Sequence, residues 1–157
     1  MHRGLKLLAA AATLGLAGCS APHEPQVTFY AHGDSVRLDP AQYCDATGQD
    51  CAEPPEDPVG ELRVPPGEPV QISVPAEVSD TPWQVVFLYR TAEGEQLDSR
   101  SAVFAPGDRH AYTLHLPPDA EQLDHVEVQQ FGAVLTPGVE GGVDFGISGS
   151  WLLDVRR

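Results

Sequence analysis

The side chains with the widest chemical scope in this chain of 157 residues are its three cysteines and six histidines. Cys44 and Cys51 stand seven positions apart in "QYCDATGQDC", a spacing open to a disulfide, a redox pair or half of a metal site. A redox pair is more naturally Cys-x-x-Cys, and a zinc site needs two further ligands at close spacing, which the neighbouring residues do not supply. For calcium, a twelve-residue loop counted from Asp45 puts Asp50 where the turn glycine belongs and Glu56 in the last position, which excludes an EF-hand. Asp45, Asp50, Glu53, Glu56 and Asp57 can gather around a cation only in some other geometry, and a solvated acidic loop is the simpler reading. No metal centre and no cofactor is expected.

The other candidates thin out similarly. "GISGS", residues 146–150, starts like Gly-x-Ser-x-Gly but ends in Ser150, and it is read as preceding a strand, where a nucleophile elbow must join a strand to a helix. His110 and His115 lie five apart on an alternating stretch and so point to opposite faces, with His115 on the solvent side beside Thr113. His32 and Asp34 fall in "AHGDS", first of all a turn. A centre that also used His23 or His125 would need long-range convergence. Neither a phosphate loop nor a dinucleotide fingerprint occurs. No catalytic residue can be named, and an enzyme is not expected.

Which role the cysteine pair takes depends on the compartment, and the amino terminus addresses that. Arg3 and Lys6 precede an apolar run from Leu7 to Leu16 without an acidic residue. A membrane span needs about 20 apolar residues; this run is far shorter and reads as a cleavable export signal over residues 1–18. Its end, Leu16-Ala17-Gly18-Cys19, resembles the lipobox of bacterial lipoproteins. The resemblance implies that the thiol of Cys19 receives a diacylglycerol, that a signal peptidase cuts after Gly18, and that Cys19 becomes the first residue of a chain anchored on the extracytoplasmic face of the cell membrane. Two acyl chains, at about 0.8 kcal/mol per buried methylene, hold far more firmly than one. With Cys19 committed to lipid and the rest outside, Cys44 and Cys51 form an even pair in an oxidising setting, and a disulfide follows. Asp45 and Gly48 suit the reversal it would close.

Loss of Arg3 and Lys6 with the signal leaves seven basic residues against 23 acidic ones, a net charge of about −16. Such a body repels phosphate backbones and anionic headgroups. Nucleic acid is therefore no partner, and lipid rather than charge must hold the chain to the membrane. Past residue 18 there is no Lys and no Met, and the whole chain lacks Asn. Lys–Asn isopeptide bonds and thioether ligation of Cu(I) are excluded accordingly. The loss of A-rich codons, alongside abundant Ala, Gly, Pro, Arg and Asp, suggests a GC-rich genome such as an actinobacterium's.

Residues 19–25 read as the lipidated cysteine and a short tether, and 26–157 as one domain, long enough to close its own core. Its apolar residues alternate rather than recur at helical spacing. Trp83, Val85, Phe87 and Tyr89 share one face of "WQVVFLYR"; Val70, Ile72 and Val74, then Tyr112, Leu114 and Leu116, then Val126 and Val128, then Trp151, Leu153 and Val155 repeat the pattern. Shorter candidates cover 27–31, 35–39, 62–64 and 101–104. Short strands separated by Pro and Gly turns, one with a central Trp, predict an all-β antiparallel two-sheet sandwich of immunoglobulin-like or fibronectin-like type. "PAEVSDTP" reads as an exposed crossover, "PPDAEQLD" (117–124) as a single helical turn, and the acidic, proline-rich 52–61 as a long surface loop. Gln129, Gln130 and Phe131 suit either an amide ladder facing a ligand or an edge strand kept polar.

Beyond the lipobox, "AQYC", "SDTPWQVVF", "VFAPGDRHAYTL", "VEVQQFGA" and "GSW" resemble a family of actinobacterial lipoproteins without an assigned function. The resemblance implies an envelope location and a β-fold and brings no site residues with it. For binding, the glycine-rich "LTPGVEGGVDFGI" lies at one end of the sandwich, where loops commonly recognise partners; Phe145 in it is either an anchor or a residue folded back onto the core. The expectation is a membrane-anchored, non-catalytic binding module of the cell envelope, whose partner is an envelope protein or polymer, with a solute- or metal-binding lipoprotein as the alternative.

Overall fold

The computed structural model describes residues 23–137 and 143–157. In chain order the elements are β1 (Val27–Ala31), β2 (Asp34–Leu38), β3 (Gln42–Tyr43), β4 (Val59–Arg63), β5 (Val70–Ser73), α1 (Ala76–Ser79), β6 (Trp83–Thr91), β7 (Gln96–Arg100), β8 (Ala111–Leu114), β9 (Ala120–Pro137) and β10 (Val143–Arg156). One sheet runs β2-β1-β5-β8 and the other β3-β10-β9-β6-β7. The outer edge of β10 is shared: β3 pairs antiparallel at Gly149 and Ser150, and β4 pairs parallel from Leu152 to Arg156. That parallel ladder departs from an otherwise antiparallel sandwich.

Alternation decides which faces meet. Trp83, Val85, Phe87 and Tyr89 of β6 point inward, as do Val126 and Val128 of β9 and Trp151 and Leu153 of β10. Val27 and Phe29 of β1, Val70 and Ile72 of β5 and Leu114 of β8 face them from the opposite sheet, and all of these residues belong to one buried cluster. With β1-β5-β8 facing β7-β6-β9-β10, the order matches the A-B-E and C′-C-F-G strands of immunoglobulin-like sandwiches. β6 then takes the place of strand C, whose buried tryptophan is a hallmark of antibody domains; here Trp83 packs against Phe104 in a tilted pair with ring centroids 4.6 Å apart. His32 (φ 50) and Gly33 (φ 92) form the β1–β2 turn, in the left-handed conformations that a tight hairpin demands.

Five local expectations change. Residues 117–124 do not form a helical turn: Ala120 already opens β9 and pairs with Thr91, so the ladder to β6 continues where a turn of helix would end it. The helical turn lies instead in the crossover, where α1 follows Pro75 and buries Val78 and Ser79 under the end of the sandwich. Residues 101–103 leave the sheet, because Val85 accepts from Ser101 N and donates to its Oγ, and only Phe104 returns, as a bridge to Trp83. The acidic loop stops short of residue 61, since Val59 begins β4. Gln129 and Gln130 lie on no edge, since β9 sits between β6 and β10.

Candidate functional site

Cys44 and Cys51 are joined (S–S 2.00 Å) and also form an isolated antiparallel bridge, so the segment between them is a stapled hairpin. Asp45 N donates to Asp50 O (2.8 Å), and Gly48, at φ 70, donates to Asp45 O (2.9 Å). The Asp45 carboxylate accepts from Thr47 Oγ1 (2.7 Å) and from the backbone amide of Gln49 (3.0 Å). The Thr47 hydroxyl, followed by these backbone amides, holds the Asp45 carboxyl below the ordinary carboxylate range. Its oxygens thus take part in holding the loop. Among the described residues, no three His, Cys, Asp or Glu side chains converge to hold a metal ion.

The hairpin is docked on the last two strands: Cys44 N donates to Ser148 O (2.7 Å), Ala133 N to Ala46 O (3.2 Å) and Gln42 Nε2 to Ile147 O (3.0 Å). Opposite it stands the exit of α1, fastened by Gln130 Nε2 to Glu77 O (3.0 Å) and Phe131 N to Pro82 O (2.9 Å). Between hairpin, α1 exit and strands lies an open cavity of about 710 Å³, inside the range of small-ligand sites. Tyr43, Ala46, Ala52, Pro82, Phe131, Ala133 and Phe145 contribute its apolar wall. Among the described residues, its charged lining, Asp45, Asp50, Glu77 and Asp80, is all acidic.

Two register shifts in the β9–β10 ladder, between Phe145 and Ile147 with the extra residues on β9 and between Ile147 and Gly149 with the extra residue on β10, fall beside this cavity. Such bulges re-aim side chains, and Phe145 (58 % exposed) and Ile147 (40 %) both stand out to solvent. Phe145 therefore neither folds back onto the core nor sits in a free loop; it belongs to β10 and lines the cavity. Gly149 is required: a Cβ there would come within 2.9 Å of both Gln130 Oε1 and the Trp151 ring. Among the described residues, the buried Gln130 Oε1 meets no hydrogen-bond donor.

The described chain comes in at the same end. Pro25 O accepts from Trp151 Nε1 (2.9 Å), and His23 and Glu24 share a shallow depression with Tyr43 and Ala52 of the cavity wall. A second depression, lined by His23–Gln26, shares Glu77 with the cavity. Partial burial, then the carboxylates of Glu77 and Glu24, push the Tyr43 phenol above its ordinary value.

A serine–histidine contact escapes sequence reasoning, because its members are 31 residues apart: Ser79 Oγ lies 2.8 Å from His110 Nδ1. Ser79 is wholly buried and its Oγ also reaches Ala76 O (3.3 Å), so the contact pins α1 to the segment before β8 and offers a substrate no approach. His125 Nδ1 meets Asp154 Oδ1 (2.7 Å) across the β9–β10 ladder, which also joins two distant positions. His115 is exposed, as its face suggested. "GISGS" lies within β10, not before a strand, and Ser148 Oγ is directed at Gln130 O (3.4 Å). Leu16, Ala17, Gly18 and Cys19 lie outside the described residues.

No solved structure matches this chain. It is 32% identical over 109 residues to uncharacterized proteins of Mycobacterium tuberculosis and Mycobacterium bovis, an alignment covering 69% of this chain. The match spans 64% of the length of those relatives. A profile described as "Protein of unknown function (DUF2771)" matches residues 20–153, and the chain belongs to that family.

Proposed function

We propose that the protein is a lipid-anchored, extracytoplasmic binding module of the cell envelope that holds an apolar ligand without transforming it. The observation that carries this reading is the cavity at the loop end, where aromatic and small apolar side chains form the wall and Phe145 stays exposed. An apolar concavity with few convergent polar groups is a common ligand site. The hydroxyls of Thr81 and Ser148 along its wall support binding over catalysis, since Thr81 Oγ1 donates to Val78 O (3.0 Å) and Ser148 Oγ to Gln130 O, which directs both protons at backbone carbonyls. Anchoring is supported by the order of charge, apolar run and Leu16-Ala17-Gly18-Cys19 in the leader. Cation binding is the weaker alternative, because the Asp45 carboxylate already accepts hydrogen bonds from Thr47 and Gln49 of its own hairpin.

The anchoring part is tested by intact mass measurement of protein extracted from the membranes of an actinobacterial host. The expected mass lacks residues 1–18 and carries a diacylglycerol on Cys19, and a Cys19→Ser variant loses that adduct. Retention of the leader, or a free thiol on Cys19, would refute it. The binding part is tested by thermal melts of the same protein with calcium, zinc and a single-chain amphiphile, since a ligand of the native state raises stability. A shift with the amphiphile alone is expected; a shift with a metal alone would transfer the reading to the cation alternative.

A further inference from the structure

The cavity and the point where the described chain begins share one end of the sandwich, as the Trp151–Pro25 hydrogen bond and the depression that His23 and Glu24 line with Tyr43 and Ala52 establish. Only four residue steps separate Cys19 from His23, and that much backbone spans at most about 14 Å. An anchor on Cys19 therefore holds the cavity's end toward the bilayer and leaves the β1–β2, β4–β5 and β6–β7 turns pointing away from it. The α1 crossover, equivalent to the B–C loop that antibody domains present to soluble antigens, would then face lipid.

We infer that the cavity takes up an acyl chain of an uncharged or zwitterionic lipid from the leaflet beneath it, an inference that rests on the anchoring proposed above. Phe131, Phe145, Pro82 and Ala133 give the chain an apolar bed. Asp45, Asp50, Glu77 and Asp80 around it, on a body of net charge about −16 once the leader is gone, repel anionic headgroups. An extended peptide fits less well, because β3 and the stapled hairpin already occupy the backbone of β10 from Ile147 to Ser150 and leave no ladder open there. An acyl chain asks for no hydrogen bonds.

The test reconstitutes the full-length protein, as processed by its host, in phosphatidylcholine vesicles holding a small fraction of phosphatidylcholine with a photoreactive acyl chain, and maps the adducts by peptide mass spectrometry. Label is expected on the segments bearing Tyr43, Phe131 and Phe145. Phe145→Asp should reduce it roughly ten-fold, since a carboxylate set against a hydrocarbon chain is strongly disfavoured. Phe145 is exposed, so this variant should fold normally by circular dichroism. Ala133→Asp provides a second lining change, and Tyr30→Asp, at an exposed aromatic on the other sheet, should leave labelling unaltered. A phosphatidylglycerol probe should label several-fold less. Adducts spread evenly over the surface, or indifferent to both lining variants, would overturn the inference, as would equal labelling by the anionic probe. A soluble photoreactive lysophosphatidylcholine, which needs no anchor to reach the protein, separates the two readings. Cavity labelling by it on a chain whose Cys19 is unmodified sinks the anchoring alone, whereas a lipidated Cys19 with a cavity unlabelled by either probe sinks this inference alone.

Discussion

The middle of the sandwich and its loop end handle apolar residues in opposite ways. In the middle, Phe29, Ile72, Val85, Val128, Trp151 and Leu153 are wholly buried and drawn from both sheets, so each loses contact with water by touching the others. At the loop end, Phe145 and Ile147 remain exposed. What holds that end is a disulfide, a self-bonded Asp45 turn and backbone hydrogen bonds from Cys44 and Ala133. Such holding leaves apolar surface available for something else. The difference separates the residues that stabilise the fold from those that a ligand can use.

The sharpest way to break this contrast is to truncate one aromatic from each region. Trp151→Ala should lower unfolding free energy by about 3–5 kcal/mol in denaturant titrations, the range for a large buried aromatic. It also orphans Pro25 O, the acceptor that ties the incoming chain to β10. Phe145→Ala should change stability by no more than about 0.5 kcal/mol. Similar losses for the two variants would show that Phe145 belongs to the core and that the loop end displays nothing.

Removing the staple probes the other side of the contrast. Cys44→Ala with Cys51→Ala should destabilise by about 2–3 kcal/mol on the chain-entropy account of so short a loop. The loss should concentrate locally, with fast amide exchange and proteolysis across residues 43–52 before the β6–β9 ladder responds. Uniform loosening of both sheets would instead place the disulfide within the main cooperative unit.

The alternation of β6, β9 and β10 made the middle legible in sequence, because a strand buried on one face repeats its apolar residues every second position. The disulfide was legible too, through compartment and even cysteine count. The place of β9 was not. Gln129 and Gln130 look like edge residues, yet in the interior Gln84 Nε2 donates to Gln129 Oε1 (2.8 Å) and Gln130 Nε2 to Glu77 O, partners 45 and 53 positions away. Likewise "PPDAEQLD" has the local chemistry of a turn, and only the partner strand β6 makes it a ladder. The cavity was legible only in Phe145 and in the ligand-facing reading of Gln130 and Phe131, because its walls come from four separated segments whose meeting depends on the topology and on two register shifts between β9 and β10.

Gly149 stands on the border between the regions, and a smaller change there sharpens the comparison. Gly149→Ala sets a methyl against Gln130 Oε1 and the Trp151 ring, and overpacking of this kind costs about 1–3 kcal/mol. Because Gln130 lines the cavity and Trp151 lies in the core, the variant should lower thermal stability and also weaken amphiphile binding. Loss of stability with binding intact would show that the two regions are mechanically independent.

The smallest expected effect belongs to Asp45, and it reads the loop end alone. Its carboxyl sits below the ordinary range, near pH 3.9 for an unperturbed aspartate, because Thr47 and the loop amides favour the charged form. A folded value lower than the unfolded one means that its contribution is present above about pH 4 and fades as pH falls through the lower folded value. Amides of Gln49 and Asp50 should therefore stay protected at neutral pH and lose protection on acidification, while amides of β6 and β9 do not follow in that window. Asp45→Asn keeps an acceptor but removes the charge, so protection of these two amides should be weaker at neutral pH and nearly independent of acid. If the wild type and the variant gave the same acid profile, the turn would be held by its disulfide alone. The carboxylate would then be free to meet a cation after all.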